Sequence, residues 1–261
     1  EEFSLMSFAD GTHVSDMPAV QDHKRAFEGD TGPNTGGMGT YSDANHLLPF
    51  LTHRDVEQAH EITEKVLRAL FEETGTLFRG IMYGGFMAVK DGVRLIEYNA
   101  RFGDPEVMNV LPILKTDFVE VCEAVLHGTL DRVKIEFENM ATVCKYVVPE
   151  GYPDNPKAGE RIDLASAVAV AGGAATAPID NARSTNLKMY YASVDERDDG
   201  LYMSSSRSLA FVGIAENLNA AEKLAESAVA LVKGPVFHRR DIGTEGLVQK
   251  RVTRMRQIRG L

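Results

Sequence analysis

Apolar residues alternate with polar ones at the start of the chain (Phe3, Leu5, Phe8), which predicts a β-strand over residues 3–8. Asp10-Gly11 is a hairpin signal, and a second strand over Thr12–Pro18 is expected to pair with the first. The period then changes to that of a helix over 52–73. Thr52 is placed as N-cap, Asp55 as its capping-box partner, and Val56, Ala59, Ile62, Val66 and Leu70 as the buried stripe. His53 and His60 fall on the solvent side and lack metal-ligand spacing. Residues 80–89 are mostly apolar and extended; Lys90-Asp91-Gly92 turns them into a second strand that ends at Asn99. A helix over 117–127 has Asp117 as N-cap, Gly128 past its end, and Phe118, Val121, Cys122 and Val125 on its stripe.

Residues 129–139 are polar and aperiodic, so a domain boundary is expected near 135, dividing the chain into 1–135 and 136–261. Beyond it the pattern is one of short strands: Ala141–Val148, Arg161–Leu164, Ala167–Val170, Leu187–Val194 and Leu209–Ile214. A last helix is read over 219–233, with Asn219 as N-cap and Gly234 as the stop. Lys188 and Tyr190 share a strand face, which reads as solvated. Antiparallel strands with helices over both halves make the fold class α+β.

The stretch Leu95-Ile96-Glu97-Tyr98-Asn99-Ala100-Arg101-Phe102-Gly103-Asp104-Pro105-Glu106 runs from strand into polar loop. Glu97 and Asn99 share one face about 7 Å apart, with Leu95 beside them and Ile96 and Tyr98 opposite. A carboxylate and an amide oxygen are hard donors suited to Mg²⁺ that nucleotide phosphates also hold. Arg101 offers charge for an anion, with Asp104 and Glu106 nearby. A bare Glu-x-Asn fits an ordinary edge strand with a solvated end equally well.

The second candidate stretch is Gln21-Asp22-His23-Lys24-Arg25, followed by Gly29-Asp30-Thr31-Gly32-Pro33-Asn34-Thr35-Gly36-Gly37-Met38-Gly39. It is neither a P-loop nor a dinucleotide fingerprint. Its glycines let backbone approach a ligand, bare N–H groups can form an anion nest, and Lys24 and Arg25 add positive charge. By composition alone a flexible surface loop is the competing reading.

Net charge is −10, and the basic residues are scattered apart from Lys250, Arg251, Arg254, Arg256 and Arg259, which read as the solvated face of a terminal helix. Nucleic acid, which needs clustered cations, is not an expected partner. No apolar run approaches the ~18 residues of a membrane span. Cys122 and Cys144 sit in apolar segments and read as small buried hydrophobes of a reducing, cytoplasmic compartment.

As ordered strings, the two stretches and the terminal Phe237-His238-Arg239-Arg240-Asp241-Ile242-Gly243 resemble the phosphoribosylamine–glycine ligase family of ATP-grasp enzymes, from Glu2 to about Gly243. The resemblance implies a later part of the ATP-grasp domain in 1–135 and the family's C-terminal domain in 136–261. It implies joining of glycine to 5-phosphoribosylamine with ATP, through glycyl phosphate, to give glycinamide ribonucleotide, ADP and phosphate in purine biosynthesis. Glu97 and Asn99 would hold Mg²⁺ or Mn²⁺, and Glu2 would meet the nucleotide ribose. Arg101 and Asp104 would serve the chemistry, and Asp22, Lys24, Arg25, Asn34, Gly36 and Gly37 would bind the phosphoribosyl substrate.

ATP-grasp enzymes often carry another ligand opposite the Glu. Here that level is near Gly85, so fewer protein ligands are expected, with a second metal leaning more on phosphate and water. The Met-less start and the extent of the resemblance suggest that a preceding N-terminal part, with the phosphate-holding lysines, lies outside this chain. The chain alone is then expected to bind ATP weakly and turn over negligibly. Two alternatives stay open: another ATP-grasp ligase, and a non-enzymatic subunit whose partner supplies the nucleotide pocket.

Overall fold

The structure, a computed structural model, describes residues 1–172 and 186–261. Its strands and helices begin with β1 (Glu2–Ala9), β2 (Val14–Asp16), β3 (Gln21–Asp22), β4 (Arg25–Phe27), β5 (Thr31–Asn34) and β6 (Gly39–Ser42). There follow α1 (His53–Thr74), β7 (Gly80–Val89), β8 (Gly92–Asn99), α2 (Val107–Val110), α3 (Phe118–His127) and β9 (Ala141–Pro149). The chain continues with β10 (Arg161–Ile162), α4 (Ala165–Val170), β11 (Leu187–Tyr191), β12 (Val194–Arg197), β13 (Gly200–Met203) and β14 (Leu209–Ala215). It closes with α5 (Leu218–Val229), β15 (Val236–Phe237) and α6 (Glu245–Arg259).

These elements form two compact units, neither contiguous in sequence. One comprises Glu1–Gln21, Ser42–Met140 and Val248–Leu261; the other comprises Asp22–Tyr41 and Ala141–Leu247. The first is built on a four-stranded sheet of order β2-β1-β7-β8, antiparallel throughout. One face packs toward α1, where the Thr63 and Tyr98 hydroxyls lie 2.7 Å apart. The other face buries Met6, Phe8 and Tyr83 with Val121 and Ala124 of α3.

Thr52 caps α1 in the expected capping box with Asp55, and Gly75 ends the helix in the left-handed region at φ 67°. The buried line of α1 is Asp55, Ala59, Thr63 and Leu67; Val56, Ile62 and Val66 flank it half-buried and Leu70 is exposed, contrary to the apolar-stripe expectation. The cause is polar pairing. The Arg259 guanidinium donates two hydrogen bonds to the Asp55 carboxylate, at 2.6 and 3.0 Å, so the line through Asp55 is buried instead. His60 is half-buried, with Nδ1 2.7 Å from Asp16 Oδ2, and is not a solvent-face residue. On α3, Asp117 and Gly128 cap as expected, but Cys122 and Phe118 are exposed; Val121 and Ala124 face inward. The basic terminal helix forms, yet its face is not wholly solvated. Arg251 pairs with Glu1 at 3.2 Å, and Arg259 is mostly buried against Asp55.

In the second unit a six-stranded sheet has the order β11-β14-β9-β6-β3, with β15 also paired to β9. A smaller sheet has the order β10-β13-β12. Helix α5 lies close over β14; a Cβ at Gly213 would stand 2.0 Å from the Ala221 carbonyl oxygen, so only glycine fits there. Asn217, not Asn219, is the cap of α5, accepting from the Ala220 N–H at 3.0 Å. Residues 165–170 are helix α4, where a strand was expected. Alternating Val and Ala mimics a strand, but Ala favours helix, and burying Ala167 asks for only one inward face.

Candidate functional site

The sequence-derived candidates divide between the two units. Glu2, Glu97, Asn99, Arg101 and Asp104 belong to the first; Asp22, Lys24, Arg25, Asn34, Gly36 and Gly37 belong to the second.

In the first unit, β7 and β8 pair Gly85 with Glu97 and Tyr83 with Asn99. Residues directly opposite share a face, so Glu97 and Asn99 lie on the same side of the sheet. Asn99 Nδ2 donates to Glu97 Oε1 at 3.3 Å. Glu97 is exposed and Asn99 half-buried. The register shifts between Gly85 and Phe86, leaving Ile96 as a bulge. Leu95 therefore pairs with Phe86 and leaves the Glu97–Asn99 row, where regular alternation had placed it. Gly85 stands opposite Glu97 as expected and contributes no side chain. Arg101 is exposed, its Nη1 donating to the Phe102 carbonyl at 2.8 Å; Asp104 is exposed on the same loop. Glu2 opens β1, paired with Met87, while Ser4 is the residue level with Gly85 and Glu97. Glu2 is thus two residues along and two strands over from Glu97.

Beside this pair, on the same face of the sheet, is a group that the sequence motifs do not announce. Tyr83 Oη donates to Glu106 Oε1 at 2.7 Å and Ser4 Oγ donates to the same oxygen at 3.0 Å, all three side chains being buried. Glu106 was visible only as the end of the Gly-Asp-Pro-Glu string; nothing local marked Ser4 or Tyr83 as its partners.

In the second unit, β4 and β5 form a hairpin in which Arg25 Nη1 donates to the Gly32 carbonyl at 2.8 Å. The Asp22 carboxylate accepts from the His23 N–H at 2.7 Å. Lys24 is half-buried, and its carbonyl accepts from Thr35 Oγ1 at 2.9 Å. Asn34 is exposed at the end of β5. The anion nest expected of the bare N–H groups does not form at 37–38. Gly37 N–H donates to Thr35 Oγ1 at 3.0 Å and Met38 N–H to the His23 carbonyl at 2.9 Å. Arg207, which no motif announced, donates to the Gly36 and Gly37 carbonyls at 2.8 and 3.1 Å and lies 4.5 Å over the Tyr146 ring. Buried Arg239 binds both oxygens of Asp241, one of Asp30, and the Arg25 carbonyl, anchoring the base of the hairpin. Burial opposes ionisation of Asp241, but the Arg239 and Gly29 hydrogen bonds overcome it and hold its carboxyl below the usual range.

The first unit's sheet, with a carboxylate–amide pair at its open strand, is of the ATP-grasp class. Residues 1–107 match the family model described as the ATP-grasp (A) domain of phosphoribosylglycinamide synthetase, and residues 142–245 match that enzyme's C domain. The chain belongs to the phosphoribosylglycinamide synthetase family.

A phosphoribosylamine–glycine ligase from Methanocella arvoryzae is 50% identical over 260 residues, covering 100% of this chain and 56% of the relative. One from Methanothermobacter thermautotrophicus is 51% identical over 259 residues, covering 99% and 56%. The crystal structure of the Thermotoga maritima phosphoribosylamine–glycine ligase superposes with a TM-score of 0.75 at 27% identity, covering 92% of this chain and 55% of that one. The chain thus spans about half the length of the curated relatives it matches. Among the described residues, no helix is long and apolar enough to cross a membrane.

Proposed function

We propose that this chain forms part of an ATP-dependent ligase that joins glycine to 5-phosphoribosylamine, giving glycinamide ribonucleotide, ADP and phosphate through glycyl phosphate. The observation that carries the reading is the exposed, mutually hydrogen-bonded Glu97–Asn99 pair, in a chain about half identical end to end to relatives named phosphoribosylamine–glycine ligase.

The donor set fits a hard divalent cation: one carboxylate and one amide oxygen on one accessible face. With two protein donors there, phosphate and water would supply the remaining oxygens, which suits Mg²⁺, or Mn²⁺ in its place. Such an ion screens the repulsion between glycine's carboxylate and the γ-phosphate. Glu97 and Asn99 hold that charge at a fixed level of β8. Arg101, on the exposed loop that follows, steadies the phosphate as a multi-donor cation, with Asp104 beside it in sequence. Glu2 binds at the nucleotide ribose. Asp22, Lys24, Arg25, Asn34, Gly36 and Gly37 bind the phosphoribosyl substrate; Arg207 and Arg239 keep that hairpin and its Gly-Gly turn in shape. Positioning does most of the work in this reading, and no general base is assigned. The partners are small molecules and the remainder of the same ligase, in the cytoplasm.

The test is ADP release by the natural-length protein. Release should require glycine and phosphoribosylamine together, and Glu97→Gln should lower turnover at least about 100-fold, equivalent to about 2.7 kcal/mol of barrier. Near-parental turnover of Glu97→Gln in Mg²⁺ would remove the metal assignment. Release with some other carboxylate–amine pair would replace the substrate assignment.

A further inference from the structure

Strand pairing puts six residues on one face of the first unit's sheet in two adjacent rows: Ser4–Gly85–Glu97 and Met6–Tyr83–Asn99. The loop that leaves β8 at Asn99 returns onto this same face. Its Gly103 N–H donates to Met6 Sδ at 3.3 Å, and Glu106 accepts from Tyr83 and Ser4. A Cβ at position 103 would come within 2.5 Å of Glu106 Oε2 and 2.6 Å of the Tyr83 ring, so loop backbone lies directly on these side chains. Both ends of the Arg101–Asp104 segment are thereby tied to the rows that present Glu97 and Asn99. The near end is β8 itself and the far end is a buried carboxylate.

We infer that Glu106, held by Tyr83 and Ser4, is a positioning residue that sets Arg101 and Asp104 relative to the Glu97–Asn99 pair. The inference rests on the catalytic reading of that pair and deepens it. Glu106 is 2% exposed, so it does not reach a ligand in solvent. One of its oxygens takes both hydroxyl protons. A buried carboxylate without partners is costly, so the loop is drawn to the one place where two hydroxyls stand ready. Gly85, between Ser4 and Glu97 in their row, adds no side chain there; a Cβ at that position would stand 3.6 Å from the Glu97 side chain.

What such a role requires of Glu106 is an acceptor oxygen, not a charge. Glu106→Gln keeps the acceptor, Glu106→Ala removes it, and Tyr83→Phe removes one donor. In the natural-length protein, Glu106→Gln should stay within about threefold of parental kcat, while Glu106→Ala should lose about 10- to 100-fold with KM for ATP little changed. Tyr83→Phe should fall between them and guards against an alanine variant that does not fold. Hydrogen exchange of the amides of residues 100–105 should quicken in Tyr83→Phe and Glu106→Ala and be restored in Glu106→Gln.

A glutamine variant as damaged as the alanine one would mean that the charge itself acts, and would overturn the inference. So would a folded Tyr83→Phe protein with unchanged exchange and kcat. A parent protein inactive as a ligase would count against the functional reading alone, because the exchange measurement still decides whether Glu106 holds the loop.

Discussion

Glutamates meet opposite fates in the two units. In the first, Glu97 stands exposed and accepts one 3.3 Å hydrogen bond from the amide of Asn99. In the second, Glu222 and Glu226, one turn apart on α5, converge on Lys145 Nζ at 2.6 and 2.7 Å. That ammonium is fully buried, and its third donor goes to the Arg240 carbonyl at 2.8 Å. His238 lies 3.2 Å from Glu226. Lys145 uses all three of its donors inside the cluster, which leaves the ammonium nothing to offer a ligand. The Glu97–Asn99 pair keeps accessible oxygen donors on a rigid strand, and what it spends internally is one long hydrogen bond. Charge in the interior serves the fold when it is saturated, and serves binding when it is not.

The largest expected effect breaks the saturated member. Lys145→Met removes the buried cation and strands two carboxylates that α5 cannot turn into solvent without losing its packing on β14 and β9. Leaving one side of a buried ion pair uncompensated costs about 3–5 kcal/mol. Urea denaturation of the variant should show that loss with an unchanged m-value. A cost under about 1 kcal/mol would mean the cluster is solvated and the contrast with Glu97 false.

A smaller effect sharpens the same contrast by titration. Burial opposes ionisation of Glu226, yet the His238 and Lys145 hydrogen bonds and their charges overcome it, holding its carboxyl at about 2 against an ordinary 4.5. A folded-state value below the unfolded one stabilises above about pH 4.5 and is lost as pH falls from there toward 2. With the side chain about a quarter exposed, the contribution is on the order of 2 kcal/mol. The acid limb of the stability curve should therefore steepen below pH 4.5 and flatten in Glu226→Gln. An identical limb in that variant would assign the acid loss to other carboxylates.

Much of the first unit was legible because its signals are local. Thr52 and Asp55 form their capping box, Asp117 and Gly128 bound α3, and the turn at Lys90-Asp91-Gly92 sets the level of Glu97 against Gly85. What failed was decided by distant residues. Asp55 became a buried position because Arg259 reaches it from 204 residues away, and that rotated the α1 stripe away from Leu70. The bulge at Ile96 leaves Glu97 and Asn99 together but moves Leu95 to the Phe86 row, and a period of two cannot reveal an inserted residue. Residues 22–41 cluster with 141–247 and not with their sequence neighbours, a grouping made by contacts such as Arg239–Asp30. The same distance hid Arg207, whose grip on Gly36 and Gly37 spans 170 residues.

The smallest predicted effect is the most discriminating. Glu97→Gln should leave stability within about 0.5 kcal/mol of the parent, because an exposed side chain holding one 3.3 Å contact has little to lose. The same substitution is expected to remove most of the turnover. A residue needed for folding cannot show that pairing of effects, because its loss lowers stability and activity together. Melting curves with added Mn²⁺ and nucleotide extend the argument. The natural-length parent should gain stability with the logarithm of ligand concentration above its Kd, while Glu97→Gln should gain less at the same concentration. Equal gains in both proteins would show that the cation and nucleotide stabilise the fold elsewhere, and the exposed pair would lose its claim to be a site.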